Sequence, residues 1–364
     1  YRNLANVATD VATTIGGDGG NIIFEGAGTV LNLRAGQDGT NLNFTGTEVS
    51  FNKGIVLADY VPLATISTDR SAGTAGTSQN KTVVLLGGLT FGLSDNDVGQ
   101  ILRIDGRNGF DLRVNGTTTL NGRSAIAVEN GYTNTASDVI LAGQVTGTGT
   151  LIKGPSDSKA RELNLTNVNS LNDYTNGTVL QGGTLRVLAR SANVAAGLNT
   201  NLVAGGIGNG DVTVMQGVLD LRFDGAATGA ADPDLEFVRF SSTGTGPNLF
   251  VNGSTQINAD RAFYTGTFSK VGTTVTALLP GGHDFTVGQS INVTSGSNGA
   301  TATNYTITAA TANSITYTDS TGATTAGVFV GNNNSGTTKM ATFNNLTIGS
   351  QILTLTGGNS YGIA

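Results

Sequence analysis

The chain has no cysteine and no tryptophan, and its 364 residues include one histidine, two methionines and five prolines. Without cysteine there are no disulfides and no thiolate metal ligands, although that absence assigns no compartment, because many cytosolic proteins also lack disulfides. A catalytic triad or a zinc site built on imidazoles would need partners for His283, and no second His or Cys exists. Charged residues make up 12%, about half the usual share of a globular protein. A net charge of −6 with scattered Lys and Arg excludes nucleic acid as a partner, since phosphate binding needs a concentrated cationic stripe. No apolar run is long enough to span a membrane. The chain starts at Tyr1 without Met or a charged-then-apolar leader, which reads as an internal or processed piece of something longer.

What is present is glycine, 54 residues of it, together with Thr, Asn, Ser, Val and Ile. Disordered chains are poor in β-branched residues and rich in net charge, and this chain is neither. Its apolar residues alternate with polar ones in short runs. Leu219-Asp220-Leu221-Arg222-Phe223, Leu163-Asn164-Leu165-Thr166, Val212-Thr213-Val214 and Ile291-Asn292-Val293-Thr294 all have period two. This is the pattern of strands with one buried face. Turn clusters such as Gly205-Gly206-Ile207-Gly208-Asn209-Gly210 separate them, and nothing between them is long enough for crossover helices. Leu4, Val7, Ala8 and Val11 have helical spacing, which predicts a short capping or connecting helix near 3–12.

Internal repetition favours a solenoid over a sandwich or a barrel. Leu89-Thr90-Phe91-Gly92 recurs as Leu346-Thr347-Ile348-Gly349, and the segment from Ile101 to Leu112 recurs from Ile352 to Ile363. The sequence thus reads as one long unit plus the start of the next. From Val139 to Val187, GTGTLIK at Gly147, LNLT at Leu163, Tyr174-Thr175-Asn176-Gly177-Thr178 and GGTLRV at Gly182 resemble the autotransporter-associated β-strand repeat of bacterial passenger domains and giant surface proteins. VTVMQGVLDL from Val212 looks like the next coil, while the polar stretch Pro155 to Glu162 departs from the pattern. The resemblance implies a right-handed parallel β-helix, export, and a passenger or surface-fibre role without enzymatic activity. A second stretch, GGHDFTVGQSINVT from Gly281 followed by NYTITAATANSITYT from Asn304, resembles a small β-module of phage structural and bacterial surface proteins.

Candidate chemistry is sparse. His283 sits in Gly281-Gly282-His283-Asp284, a turn. Asp95 and Asp97 are a close carboxylate pair of the kind glycoside hydrolysis needs, but they lie in a loop that the second repeat copy lacks. Asp232, Asp234 and Glu236 form the densest acidic cluster and are the candidate calcium ligands; the usual spacing of a loop-bound calcium site is absent. Gly16 to Asn21 and Gly208 to Asp211 resemble single β-roll repeats, a motif that works only in tandem, so tight turns are the simpler reading. Tyr60 and Pro62 fall in an expected loop of some twenty-five residues ending near Lys81, a candidate partner contact. Sequons such as Asn115-Gly116-Thr117 and Asn345-Leu346-Thr347 are expected by chance in this composition.

These readings predict an all-β chain: a right-handed parallel β-helix (β-solenoid) over 1–262, a small antiparallel β-module inserted over 263–338 and projecting sideways, and coils resuming over 339–364. About 12–14 coils are expected at about 20–25 residues each. The expected role is a non-enzymatic extracellular filament on the bacterial cell surface. No cofactor is expected unless Ca2+ binds the acidic cluster. Its partners would be copies stacked end to end through terminal rungs, or tandem units of one giant chain. A glycan-binding adhesin and a polysaccharide-degrading β-helix are the alternatives.

Overall fold

The structure, a computed structural model, describes residues 20–35, 48–70, 81–94, 99–130, 137–155, 161–191, 203–224, 237–239, 246–283, 285–297, 303–333 and 340–364. The helix expected near 3–12 falls outside them. The architecture is all-β. Three parallel sheets form a solenoid, and over the first five coils the chain passes through them in the same order.

The first sheet has five strands, Asn21–Phe24, Gly54–Leu57, Leu89–Phe91, Thr118–Leu120 and Val145–Gly147. The second has nine, from Thr29–Ala35 to Leu346–Ile348, and the third runs in parallel from Glu48–Phe51 to Leu353–Gly357. Each strand pairs in register with the equivalent strand one coil on, so the period-two pattern becomes vertical columns. Val83, Leu112, Val139, Leu163, Leu185, Leu219 and Ile257 stack one over another on the third sheet, each at most 1% exposed. Burying each such side chain contributes roughly 1.5–3 kcal/mol. The columns of all three sheets meet in one continuous core.

Among the described residues each long sheet stacks nine strands, which at a spacing of about 4.8 Å span about 40 Å. The coils vary in length. Asn164 and the stacked Arg186 lie 22 residues apart, Arg186 and Asp220 34, and Arg222 and Asp260 38. The difference is absorbed at the corners, where chain can be added without disturbing the ladders.

After Val145–Gly147 the first sheet stops. Asn172 takes its place in the ladder, its side-chain Oδ1 accepting the Val145 N–H at 2.9 Å and its Nδ2 donating to Gly206 O at 2.9 Å. Later coils place a three-stranded sheet in the same slot, made of Phe237–Arg239, Met340–Thr342 and Gly362–Ile363.

The two repeat copies do not occupy equivalent faces. Leu89–Phe91 lies in the first sheet but Leu346–Ile348 in the second, and the segment from Ile101 lies in the second sheet but its echo from Ile352 in the third. What recurs is a corner. Asn108 and Gly109 (φ 53° and 73°) match Asn359 and Ser360 (φ 50° and 64°), and in each copy a short turn, Phe110 N–H to Arg107 O and Tyr361 N–H to Gly358 O, drives an aromatic ring into the core. Asn, and Gly above all, tolerate this left-handed backbone, which is why the corner is visible in sequence. The echo is a reused corner shifted by one face, rather than the start of a second long unit.

Part of the stretch expected as a long loop is strand. Leu63–Arg70 pairs with Thr29–Ala35 on one side and Gln100–Gly106 on the other; only the corner around Tyr60 and Pro62 is irregular, and 71–80 lie outside the described residues.

Six antiparallel strands, Phe263–Val271, Thr274–Leu278, Ser290–Ser295, Thr303–Ala310, Ser314–Thr318 and Ala326–Asn333, close into a barrel with its own core. The rod ignores this insertion: Thr255–Asp260, before the barrel, pairs directly with Leu353–Gly357, after it.

Several inward positions are polar, Gln100, Ser124, Thr178 and Thr118 among them, and at one of them the side chain is charged. In the column Leu102, Ile126, Lys153, Leu180, Val214 of the second sheet, Lys153 is fully buried. Its ammonium donates to Gly154 O at 3.3 Å, and burial, with Arg161 adding repulsion against the pull of Asp138, lowers its pKa to about 8. A buried ammonium is costly beside an apolar side chain of similar length. Lys153→Met is therefore expected to stabilise the rod by about 2 kcal/mol at pH 7, read as a rise in the thermal midpoint; a fall would show that the amine holds this corner together.

Candidate functional site: the charged third face, the seated barrel and the open last coil

A charge-poor chain concentrates its charges where coils meet. On the outer side of the third sheet, register stacks Arg186 over Asp220 and Arg222 over Asp260, and Glu162, two positions from the residue under Arg186, extends them into a ladder of alternating sign. Arg186 grips both oxygens of Glu162 and donates through Nε to Asp220 at 2.7 Å. Asp220 also accepts from Arg222 Nε at 2.8 Å, and Arg222 reaches Asp260 at 3.2 Å. Asp220 is 1% exposed, so this network is shielded from salt far better than surface pairs are. Elsewhere Arg113 makes a two-pronged contact with Glu48 two coils away, and Arg34 pairs with Asp69 and Arg103 with Glu129.

Beside this ladder, register brings like charges together. Asp111, Asp138 and Glu162 occupy the same row in three consecutive coils. Each Asp turns one oxygen to the backbone of the next coil: Asp138 N–H donates to Asp111 Oδ1 at 2.8 Å, and Glu162 N–H to Asp138 Oδ1 at 3.2 Å. Burial first, and then the stacked neighbouring carboxylate, pushes both Asp111 and Asp138 up to about 7.

The barrel does not project freely. It is seated on the rod where the first sheet ends, with Val168 and Leu188 of the rod entering the barrel's own core beside Ala262, Leu279 and Phe285. Val168 N–H donates to Gly281 O at 2.7 Å, and Asn169 Nδ2 to Asn313 Oδ1 at 2.7 Å. Phe263, the first barrel residue, lies under the guanidinium groups of Arg186 and Arg222, at 4.8 and 5.4 Å from its ring centroid. The charge ladder is thus also the platform for the barrel. Gly281 and Gly282 make the seat possible: a Cβ at Gly281 would stand 2.3 Å from Thr166 O, and Gly282 has φ 83° with Asn169 2.2 Å from where its Cβ would be.

Inside the barrel, Asp319 is 1% exposed. Burial opposes its ionisation, but the Ser297 hydroxyl and the Thr321 and Gly322 N–H groups outweigh burial and hold the carboxyl well below its usual range. Lys270 Nζ lies 3.7 Å away. This arrangement ties the turn from Asp319 to Gly322 to its neighbours and leaves no oxygen of the carboxylate idle.

The residues singled out from sequence do not converge. Asp232, Asp234 and Glu236, Asp95 and Asp97, and Gly16 to Gly19 lie outside the described residues. Asp211 lies in a turn and accepts from Asn248 Nδ2 at 2.8 Å, with no second carboxylate bonded to it. Among the described residues no group of three or more His, Asp or Glu side chains is arranged to hold a metal ion. Tyr60 stands 61% exposed with φ 62°, its N–H fixed to Leu93 O at 2.8 Å. His283 is buried at the barrel seat, a role that a lone histidine in a glycine turn did not disclose.

The end of the rod is open. Leu249, Val251 and Ile257 are at most 2% exposed, whereas Leu346, Ile348 and Leu355, stacked on them one coil later, are 52%, 39% and 53% exposed. Ile352 beside them is 70% exposed. No helix among the described residues is long and apolar enough to cross a membrane.

Fold and surfaces together define a class: a parallel β-solenoid with a closed barrel inserted between coils and seated on its third face. No protein-family model, curated protein or solved structure matches the chain.

The stacked acids make a sign-definite prediction. Unfolded, Asp111 and Asp138 ionise near pH 4; in the rod they hold their protons to about 7. Between those values the folded state binds more protons, so their contribution to stability falls as pH rises and is lost above about 7. Asp138→Asn keeps an oxygen for the Glu162 N–H and removes the middle charge. Scanning calorimetry should show it raising rod stability by about 1 kcal/mol at pH 8 and far less at pH 5.

Proposed function

We propose that this chain is a non-enzymatic, extracellular rod unit of a bacterial surface fibre, extended by coil-on-coil stacking. The observation that carries the reading is the exposed row Leu346, Ile348 and Leu355, which has the same inward positions as three buried residues one coil earlier. Such a row, with the unpaired backbone groups of its two strands, is complementary to another coil and to little else. The next coil belongs to a following unit of the same polypeptide or to a second copy. The resemblance of Val139 to Val187 to the autotransporter-associated repeat supports the surface assignment, and the low charge suits a body held together by ladders. The function of the seated barrel in this reading is to stiffen the rod and cover the interruption in the first sheet.

The test is assembly. At high concentration the purified chain should form thin filaments, visible by electron microscopy, with a rung spacing of about 4.8 Å. Leu355→Asp should leave the thermal midpoint within about 2 °C, since the site is exposed, and should reduce filament length at least tenfold. Filaments unchanged by Leu355→Asp would remove the open coil from the explanation, and monomers at all concentrations would leave only the tandem-unit form.

A second reading, a glycan-binding adhesin, is favoured by Tyr60. A bulky residue at φ 62° costs roughly 1–3 kcal/mol of strain, and here the strain presents an aromatic ring to solvent. Glycan-array binding that disappears in Tyr60→Gly, which relieves the strain and deletes the ring, would establish it. Retained binding would exclude Tyr60 as the platform.

A further inference from the structure

We infer that His283 is a pH-sensitive latch that holds the barrel on the rod, locked at neutral pH and released by acid. The geometry requires one neutral tautomer. Phe285 N–H donates to Nδ1 at 3.1 Å, so Nδ1 carries no proton, and Nε2 faces the carbonyl of Ser314 at 3.1 Å, so Nε2 carries it. A second proton on Nδ1 would point at the Phe285 N–H and break that bond.

Those two bonds join the parts of the barrel that touch the rod. Phe285 follows the Gly281-Gly282 seat and packs edge-on against Tyr264, with ring centroids 4.8 Å apart. Ser314 follows Asn313, whose side chain accepts from Asn169 of the rod and whose carbonyl accepts the Leu279 N–H at 2.8 Å. His283 is therefore a positioning residue: it clamps one seat element to the other, and both face the turn Thr166–Asn169. Its ring is 3% exposed.

The surrounding elements bring few charges. The rod turn from Thr166 to Asn169 has no ionisable side chain, and neither Ser314 nor Ile315 adds one. On the strand Phe263–Val271, Tyr264 lies under Phe285 and Lys270 is engaged with Gly322 and Asp319. Asp284, next in sequence, lies outside the described residues, so its carboxylate is tested directly. Because the seated form demands the neutral ring, seating is strongest above the titration range of a free imidazole. It weakens by up to tenfold for each pH unit below that range.

The chain's single histidine gives one imidazole signal, so nuclear magnetic resonance of histidine-labelled full-length protein reports the ring without ambiguity. At pH 7.5 the nitrogen shifts should show the Nε2–H tautomer. Between pH 7.5 and 5, hydrogen-exchange protection of the Val168 amide, corrected for intrinsic rate, should fall about tenfold or more, while that of Leu112 and Leu163 in the rod should not. His283→Phe should show low Val168 protection at both pH values, and Asp284→Asn should keep the pH response. Constant Val168 protection while the ring titrates would overturn the inference, as would loss of the response in Asp284→Asn. If His283→Phe does not fold, the tautomer and the Val168 exchange of the unmodified chain still decide.

Discussion

In-register stacking governs this molecule. Parallel strands repeated at about 4.8 Å place every side chain directly over its counterpart in the next coil, so the neighbour of a residue is fixed by register and not by sequence distance. Leucine over leucine gives the core columns. A carboxylate over a guanidinium gives the ladder from Glu162 to Asp260. A carboxylate over a carboxylate, as at Asp111 and Asp138, is tolerated because each oxygen facing the next coil meets a backbone N–H, at the cost of a raised proton affinity. A few charges suffice under this constraint, because each one is placed.

The same constraint explains what could be read from sequence. Alternation in Leu219 to Phe223 and Leu163 to Thr166 is a direct consequence of one-sided burial, and it predicted an all-β solenoid. Clean period two from Tyr305 and Ile315 marked the small antiparallel module. Register was less legible. It depends on how much chain each corner absorbs, and corners of 22- and 38-residue coils look alike to a periodicity count. Hence the segment after Tyr60 was taken for a loop although Leu63–Arg70 is a paired strand. The corner shared by Asn108 and Asn359 was seen as a repeat, but its shift by one face was invisible, because the three faces make similar demands on their residues.

The site was legible in composition and hidden in partners. Arg186 and Arg222 sit in obvious strands, yet nothing local says that they bear on Phe263, that Gly281 is small because the Thr166 backbone passes against it, or that Gly282 faces the Asn169 side chain. A contact between Asn169 and Asn313, 144 residues apart, leaves no periodic trace. His283 shows the same difficulty. Its importance comes from the two elements it joins, and both are ordinary turns.

The chain answers the edge-strand problem in two ways. The barrel closes on itself, so it presents no free edge to another chain. The two long sheets pair every inner strand on both sides, so their free edges lie along the rod axis. Because the barrel leaves and re-enters at a corner, Thr255–Asp260 and Leu353–Gly357 remain adjacent and the ladder continues as though 92 residues were absent between Asp260 and Leu353. A free domain on such a corner would lever against a single coil. Seating it across Val168, Leu188, Arg186 and Arg222 spreads that load over successive coils. Among the described residues, the last coil presents both a matching apolar row and unpaired backbone.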